Sequence, residues 1–322
     1  MTSTESVATA IPAPLPLSRR FPWLKGFSRF GGGMLFLLPS MLLFGGFVFY
    51  PLVKSVYLGF FVSDPFGHGQ HFVGIDQYRS VLTSSDFRRS LVTTSLFALY
   101  TVPTGMILGL VFALLANQRL RGALVFRTIF SSTLAASVAV AAVMWLMLLN
   151  PSSGLVNWLL AQFDLPRINW LTDPQWRASW DGGPALMAVS LTTIWLNIGF
   201  TTLVLLAALQ NIPQELYESA RVDGAKAWSV LRHITLPMLS PSLLFVGVIS
   251  MIIAFQSFGQ IQILTRGGPL GATNVLVYSI YQNAFINFEY GAAAVRAVAL
   301  FLLVLIFTLV QFRFLERRVF YR

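Results

Sequence analysis

The chain has no cysteine, only three lysines and three histidines, and only 12 acidic residues in 322 positions. Without cysteine there are no disulfides, no thiolate metal sites and no cysteine nucleophile. No glycine-rich loop ends in Gly-Lys-Ser or Gly-Lys-Thr, so the chain itself offers no cradle for nucleotide phosphates. His68 and His71 could share a metal, but no third ligand stands close by in sequence, and an ordinary polar loop accounts for them. Asp64, Asp76 and Asp86 fall in one loop region with nothing to pair them for acid–base work. No carboxylate or histidine occurs inside any long apolar stretch, which deprives a membrane-embedded enzyme or an ion-coupled carrier of its usual buried titratable group. These absences point to a chain with no catalytic residue and no metal or cofactor of its own.

What is abundant is hydrocarbon: hydrophobic residues make up 56% of the chain and charged residues 11%, with a mean hydropathy of +0.70. Such a composition belongs to a polytopic membrane protein. A helix needs about 20 mainly apolar residues to cross the bilayer core, because lipid offers no partner to unpaired backbone groups. Six stretches reach that length, near 34–54, 91–116, 126–149, 185–208, 241–263 and 292–314. Short alternating segments of the kind that build a membrane barrel are missing. With the N-terminus inside, 14 of the 22 Lys and Arg residues and five of the 12 acids fall on the cytoplasmic side. That excess predicts cytoplasmic termini and a cytoplasmic 209–240 loop. The net charge of +10 is spread over loop ends, so it calls for no nucleic acid as partner.

Residues 1–33 read as a cytoplasmic tail, with an Ala/Pro-rich run from Ala8 to Pro16 and then Arg19, Arg20, Lys25 and Arg29. The apolar stretch from Met34 is long and runs on into Tyr50-Pro51 without a small-residue cleavage site, so it reads as a retained span. The outer loop from Asn150 to Pro184 carries Trp158, Trp170, Trp176 and Trp180. They suit interfacial anchoring on an amphipathic helix, with docking of an external partner as a second role. The turn Thr265-Arg-Gly-Gly-Pro269 is followed by the stretch from Tyr278 to Phe288, which is expected to lie along the membrane interface.

The spans carry uncharged polar groups at depth. The fourth holds Thr192, Thr193, Asn197, Thr201 and Thr202; the fifth holds Ser250, Gln256, Ser257, Gln260 and Gln262. Burying an amide or hydroxyl without a partner costs roughly 2–7 kcal/mol, so these groups must face protein or a wet cavity. Bonding between helices is one use for them. Lining a path for a polyhydroxylated solute, with aromatic walls such as Phe200, is the other. Arg296 is a cation near the outer end of the sixth span, placed either to snorkel to the interface or to pair with an anionic solute.

Between the fourth and fifth spans lies a polar island in which Glu215, Glu218 and Asp223 stand against Arg221, Lys226 and Arg232. Its charges cancel, so anchoring to a membrane surface does not explain it. Asn211-Ile-Pro213 starts a helix with acids in its early turns, where they suit the dipole. Gly224 permits a sharp change of direction into a second short helix ending near Trp228, and Leu236-Pro237 returns the chain to the membrane. A two-helix elbow with the small Ala220 near its corner fits the groove of another protein.

Glu218-Ser-Ala220, Asp223-Gly-Ala225 and Ile234-Thr-Leu-Pro237 resemble the EAA loop of permease subunits from bacterial binding-protein-dependent ABC importers. Ser219 stands where that motif usually has Ala. The resemblance implies an all-α membrane fold of six transmembrane helices with a cytoplasmic EAA-type coupling helix. A tail over 1–33 would precede a permease domain over 34–322, with the coupling loop at 211–237. Implied partners are membrane lipid, a second homologous permease, two ATPase subunits and an extracytoplasmic solute-binding protein. ATP and magnesium would sit on the ATPase, and the location would be the bacterial plasma (inner) membrane. Coupling residues implied by the motif are Glu215, Glu218, Ala220, Asp223, Gly224, Leu236 and Pro237.

Shorter matches point further. Ser63-Asp-Pro-Phe-Gly67, Phe72-Val-Gly74, Asn150-Pro151, Gly267-Gly-Pro269 and Val310-Gln-Phe-Arg313 with Glu316 resemble the first permease subunit of glycerol-3-phosphate and glycerophosphodiester importers. Similarity to the maltose-type permease would put Thr193, Leu196, Asn197 and Phe200 on the solute path, with Asn197 where a small residue is usual. Gln256, Ser257, Gln260 and Arg296 complete the expected path. Two solutes follow as expectations, a glycerol phosphate ester or an oligosaccharide such as a disaccharide. An ATP-independent secondary transporter is the competing class.

Overall fold

The computed structural model describes residues 29–63, 70–118, 123–173 and 183–315. The expected tail thus lies almost wholly outside the described residues, as do His68, Trp176, Trp180 and Glu316. Helices α1 (Arg29–Phe44) and α2 (Tyr50–Leu58) are joined by a π-helical turn at Gly45–Phe49. Proline placement explains that turn: Pro51 has no N–H to give the carbonyl four residues back, and the chain widens so that the Tyr50 N–H reaches the Gly45 carbonyl. The helix up to Lys54 is a unit separate from the rest, and its Phe36, Met41 and Phe47 are exposed, as lipid-facing residues should be.

The second unit begins with the end of α2, followed by a small hairpin, β1 (Phe61–Ser63) and β2 (Gln70–Phe72), antiparallel with Phe61 opposite Phe72. Helix α3 (Asp76–Thr83) leads to α4 (Ser85–Asn117), whose first turn is capped by Ser84, its Oγ accepting the Phe87 N–H at 3.2 Å. The predicted third span is broken. Helix α5 (Ala123–Ser132) passes through a 3₁₀ turn at Thr133–Ala135 and meets α6 (Val138–Leu148) at an angle of 111°. Ser137 and Ala136 hold extended backbone at the break. After α7 (Leu155–Gln162) comes α8 (Gly183–Gln210), the most buried of the membrane-length helices.

The polar island forms α9 (Gln214–Val222) and α10 (Ala227–Val230). The second helix does not end near Trp228 as expected. It runs on through a π-helical turn at Leu231–Thr235 into α11 (Leu236–Phe255). The rule seen at Pro51 repeats here, with Pro237 lacking an N–H and the Leu236 N–H bonding the Leu231 carbonyl. The fifth apolar stretch is also interrupted, at Gln256–Phe258, before α12 (Gly259–Leu264); α13 (Leu276–Tyr281) and α14 (Tyr290–Leu315) are the last helices described.

Among the described residues the protein is thus a membrane protein that is helical apart from the small hairpin, with five helices long and apolar enough to span, or six with the bent pair α5–α6 counted as one. Helices α4 and α8 form the central pair. Gly109 lies so close to Thr201 that any Cβ there would overlap the threonine methyl, the small-residue contact by which helices associate in lipid. One apolar core joins Phe97 of α4, Leu186 of α8, Phe255 of α11 and Ile261 of α12. The expectation that the stretch from Tyr278 to Phe288 lies along the interface fails for its first part: Tyr278 and Ser279 are buried, as is Leu276 just before them, whereas Phe285, Ile286 and Phe288 are exposed. The Leu276 N–H donates to Thr94 Oγ1 at 2.8 Å, and Phe258 stacks on Tyr278 at 5.9 Å. Burial pushes the Tyr278 hydroxyl above its ordinary pKa, with a further push from Tyr281 and an opposing pull from Arg266. The Thr265–Pro269 turn holds this element in place. Gly267 has φ +81° there, and a Cβ would meet Tyr278 Cε1 at 2.7 Å.

Candidate functional site

Two regions gather the residues singled out by sequence. The first is the elbow. Pro213 precedes α9 and Gly224 closes it with φ +70°. The Ala225 N–H reaches back to the Ala220 carbonyl at 2.9 Å and the Gly224 N–H to the Arg221 carbonyl at 3.1 Å. This paired closure satisfies the last carbonyls of the helix and needs a left-handed residue at the corner. Ala220 is buried, and Leu216 and Tyr217 pack with Leu209, Ile212 and Leu239 at the ends of α8 and α11. Tyr217 Oη lies 3.3 Å from Thr235 Oγ1, fastening α9 to the head of α11. Glu215, Glu218 and Asp223 are exposed, and Leu236 and Pro237 are half-buried at the start of α11. The elbow therefore packs by its small and apolar face and turns its acids outward, together with Val222 (88% exposed) and Trp228 (68%).

The second region is a cavity of about 450 Å³ beside α8. Leu196, Asn197 and Phe200 line it from one helix; Gln256, Ser257, Phe258 and Gln260 line it from the interruption between α11 and α12. Sequence placed six of these seven on a solute path, and the fold brings them together across some 60 positions of chain. The remaining wall, Thr133, Leu134, Ala136 and Val138, is the break between α5 and α6. Sequence reading missed it by treating 126–149 as continuous. The signal was there in Ser131-Ser132-Thr133 and Ser137, a cluster of small polar residues in the middle of an apolar run. Gly199 makes the break fit, because the Phe130 carbonyl and Thr133 Oγ1 occupy the space that a Cβ would take. Broken helices are tolerated at membrane depth only where they line a cavity or are buried in protein.

Thr193 lies behind this wall. Gln260 Nε2 donates to Thr193 Oγ1 at 2.9 Å, Thr193 Oγ1 donates to the Val189 carbonyl at 2.9 Å, and Asn197 Nδ2 donates to the Thr193 carbonyl at 2.8 Å. Gln260 is thus held in part by protein, while Gln256 is exposed. Thr192 also bonds back to its own helix, at the Ala188 carbonyl, as Thr193 does at Val189. Among the described residues, no Lys, Arg, His, Asp or Glu lines the cavity.

Arg296 is not part of this group. It is 6% exposed and its guanidinium donates to Asp86 Oδ2 at 2.8 Å, joining α14 to the first turn of α4. It lines a different cavity, with Gln77, Ser80 and Glu289.

Residues 84–321 match the family described as "Binding-protein-dependent transport system inner membrane component". The chain belongs to this family of ABC importer permeases. The permease is 33% identical over 298 residues to the sn-glycerol-3-phosphate transport system permease protein UgpA of Yersinia enterocolitica, covering 92% of this chain and 98% of that one. It is also 34% identical over 277 residues to a probable ABC transporter permease of Pyrococcus horikoshii, covering 85% and 92%. Its fold matches a chain in the crystal structure of a bacterial ABC transporter involved in the import of the acidic polysaccharide alginate, with a TM-score of 0.75 at 24% identity over 93% of this chain and 97% of that one. It is a multi-pass transport subunit, not an enzyme, and the family's transport depends on a binding protein.

Proposed function

We propose that this permease passes a small polyhydroxylated solute from an extracytoplasmic binding protein into the cytoplasm across the bacterial inner membrane, with both of its termini cytoplasmic. The cavity beside α8 is the solute's resting place, and the observation that carries this is its wall. Amides and hydroxyls from two interrupted helices converge with Phe200 and Phe258 on about 450 Å³, within the size range of small-molecule sites. A second homologous permease would complete the path. Two ATPase subunits, carrying ATP and magnesium, would receive the elbow at 211–237, with Glu215, Glu218, Asp223 and Gly224 transmitting closure to α8 and α11. The close packing of α9 on the ends of both helices supports that role.

Glycerol-3-phosphate or a glycerophosphodiester is the first reading of the solute, supported by relatives named for glycerol-3-phosphate transport. A neutral oligosaccharide is the second, and one observation favours it: the cavity wall is uncharged, and the cation expected to meet a phosphate, Arg296, is paired with Asp86. The test is ATP hydrolysis by the reconstituted importer with its binding protein, stimulated in turn by glycerol-3-phosphate, glycerophosphocholine and a panel of disaccharides. Stimulation by the phosphates alone sustains the first reading. Stimulation by disaccharides alone discards it in favour of the second, and solute uptake that persists without ATP would overturn the importer mechanism.

A further inference from the structure

Helix α7 is amphipathic the wrong way round for a helix packed on a protein core. Its outward face is the apolar one: Leu155 is 51% exposed, Trp158 57% and Leu159 46%, and the residue that ends the helix, Phe163, is 76% exposed. Its inward face carries Asn157, 3% exposed. That amide is fully engaged, with Nδ2 donating to the carbonyls of Pro151 and Ile168, and Oδ1 accepting from the Ile168 N–H and Trp170 Nε1. Four bonds from one side chain fix which way the helix faces, so the apolar stripe cannot roll inward.

The place of the helix is fixed as well. Gly154, the residue that caps α7, is packed against the carbonyl of Leu148, the last residue of α6, and a Cβ there would overlap it. Asn150 holds the intervening turn, its Oδ1 accepting the N–H groups of Ser152 and Ser153 at 3.0 and 3.1 Å. The stripe on α7 therefore begins at the end of a membrane segment whose own residues Val140, Val143 and Met147 are exposed. The helix itself, Leu-Val-Asn-Trp-Leu-Leu-Ala-Gln, contains no charged residue.

We propose that α7 is an interfacial helix that lies in the plane of the membrane where α6 ends, with Leu155, Trp158, Leu159 and Phe163 set into the boundary between lipid headgroups and acyl chains. An apolar stripe continuous with a lipid-facing segment is satisfied by the same solvent. Tryptophan is suited to this depth because its ring is apolar and its N–H is wet. Through Asn157 the anchored helix holds the loop from Pro151 to Trp170 at a set height over the membrane.

The test is fluorescence of the full-length chain in its importer complex, in nanodiscs whose phospholipids carry bromines either near the headgroup or near the chain end. Wild-type emission minus that of Trp158→Phe isolates one tryptophan of eight. The expected difference signal is quenched most by bromines near the headgroup and is insensitive to aqueous iodide. Should Trp158→Phe fail to assemble, Phe163→Trp adds an emitter on the same stripe, to be read with the same lipids. A signal quenched by iodide and untouched by bromine overturns the proposal. So does a signal open to iodide until the binding protein is added, which would make this stripe a protein-docking face. Neither outcome depends on which solute is carried.

Discussion

The elbow at 211–237 and the cavity beside α8 are built in opposite ways. The elbow is one contiguous segment whose shape comes from local bonds: a left-handed corner at Gly224, two backbone bonds closing α9, and a tyrosine reaching 18 residues along the chain. Its acids face outward and are exposed. The cavity has no charge and no local logic; α5–α6, α8 and α11–α12 must all be in position before it exists. A surface segment can hold its shape by local bonds alone. A cavity walled by interrupted helices leaves backbone groups to be satisfied by neighbours, and here one crowded helix stands against them.

The sharpest way to break the comparison is at the corner of the elbow. Gly224→Val forces a β-branched residue to φ +70°, and Glu218→Lys reverses an exposed charge. Both are expected to lower transport by about ten-fold or more while the chain still inserts, because neither residue is part of the apolar core. Reconstituted variants with ordinary solute-stimulated ATP hydrolysis would remove the elbow from the coupling path. Gly199→Val should act on the cavity through the fold itself. With the Phe130 carbonyl and Thr133 Oγ1 already in the way, overpacking costs roughly 1–3 kcal/mol, read as a lower melting temperature of the detergent-solubilised chain.

Smaller effects separate solute contact from support. Asn197→Leu and Gln256→Leu are expected to reduce solute-stimulated ATP hydrolysis by roughly ten-fold and change its solute preference, with little change in thermal stability. Equal effects on every solute in the panel would argue that these amides only support the wall. Arg296→Ala should leave the solute preference unchanged. Because Asp86 is 56% exposed and can be resolvated, the expected cost is about 1 kcal/mol, and a changed preference between phosphate esters and sugars would place Arg296 on the path after all. Gln260→Leu loses the bond to Thr193 for about 1 kcal/mol; in the Thr193→Val background the same substitution should cost less, and equal costs would show that the two side chains do not act as a pair.

Much of this was legible in the sequence because its causes are local. The acids and small residues of the elbow, the proline before α9 and the glycine after it each carry a local structural consequence that sequence reading can use. The first part of the stretch from Tyr278 to Phe288 was misread because its apolar and aromatic composition suits an interface equally well. Its burial is decided by Thr94 and Phe258, 182 and 20 residues away from their partners. Arg296 was placed correctly near a span end, but its partner Asp86 stands 210 positions earlier and no local pattern names it.

The sequence alone determined that this is a polytopic membrane chain, since long apolar runs admit helices and little else. It also determined the elbow, where proline, glycine and helix-end charges act within a few residues. Only the tertiary structure decided where the spans break and that two of the breaks meet beside α8, Val138 standing against Gly259. A buried polar residue reads the same in sequence whether it bonds its own helix or lines a cavity, and the difference lies wholly in which distant backbone comes to stand beside it.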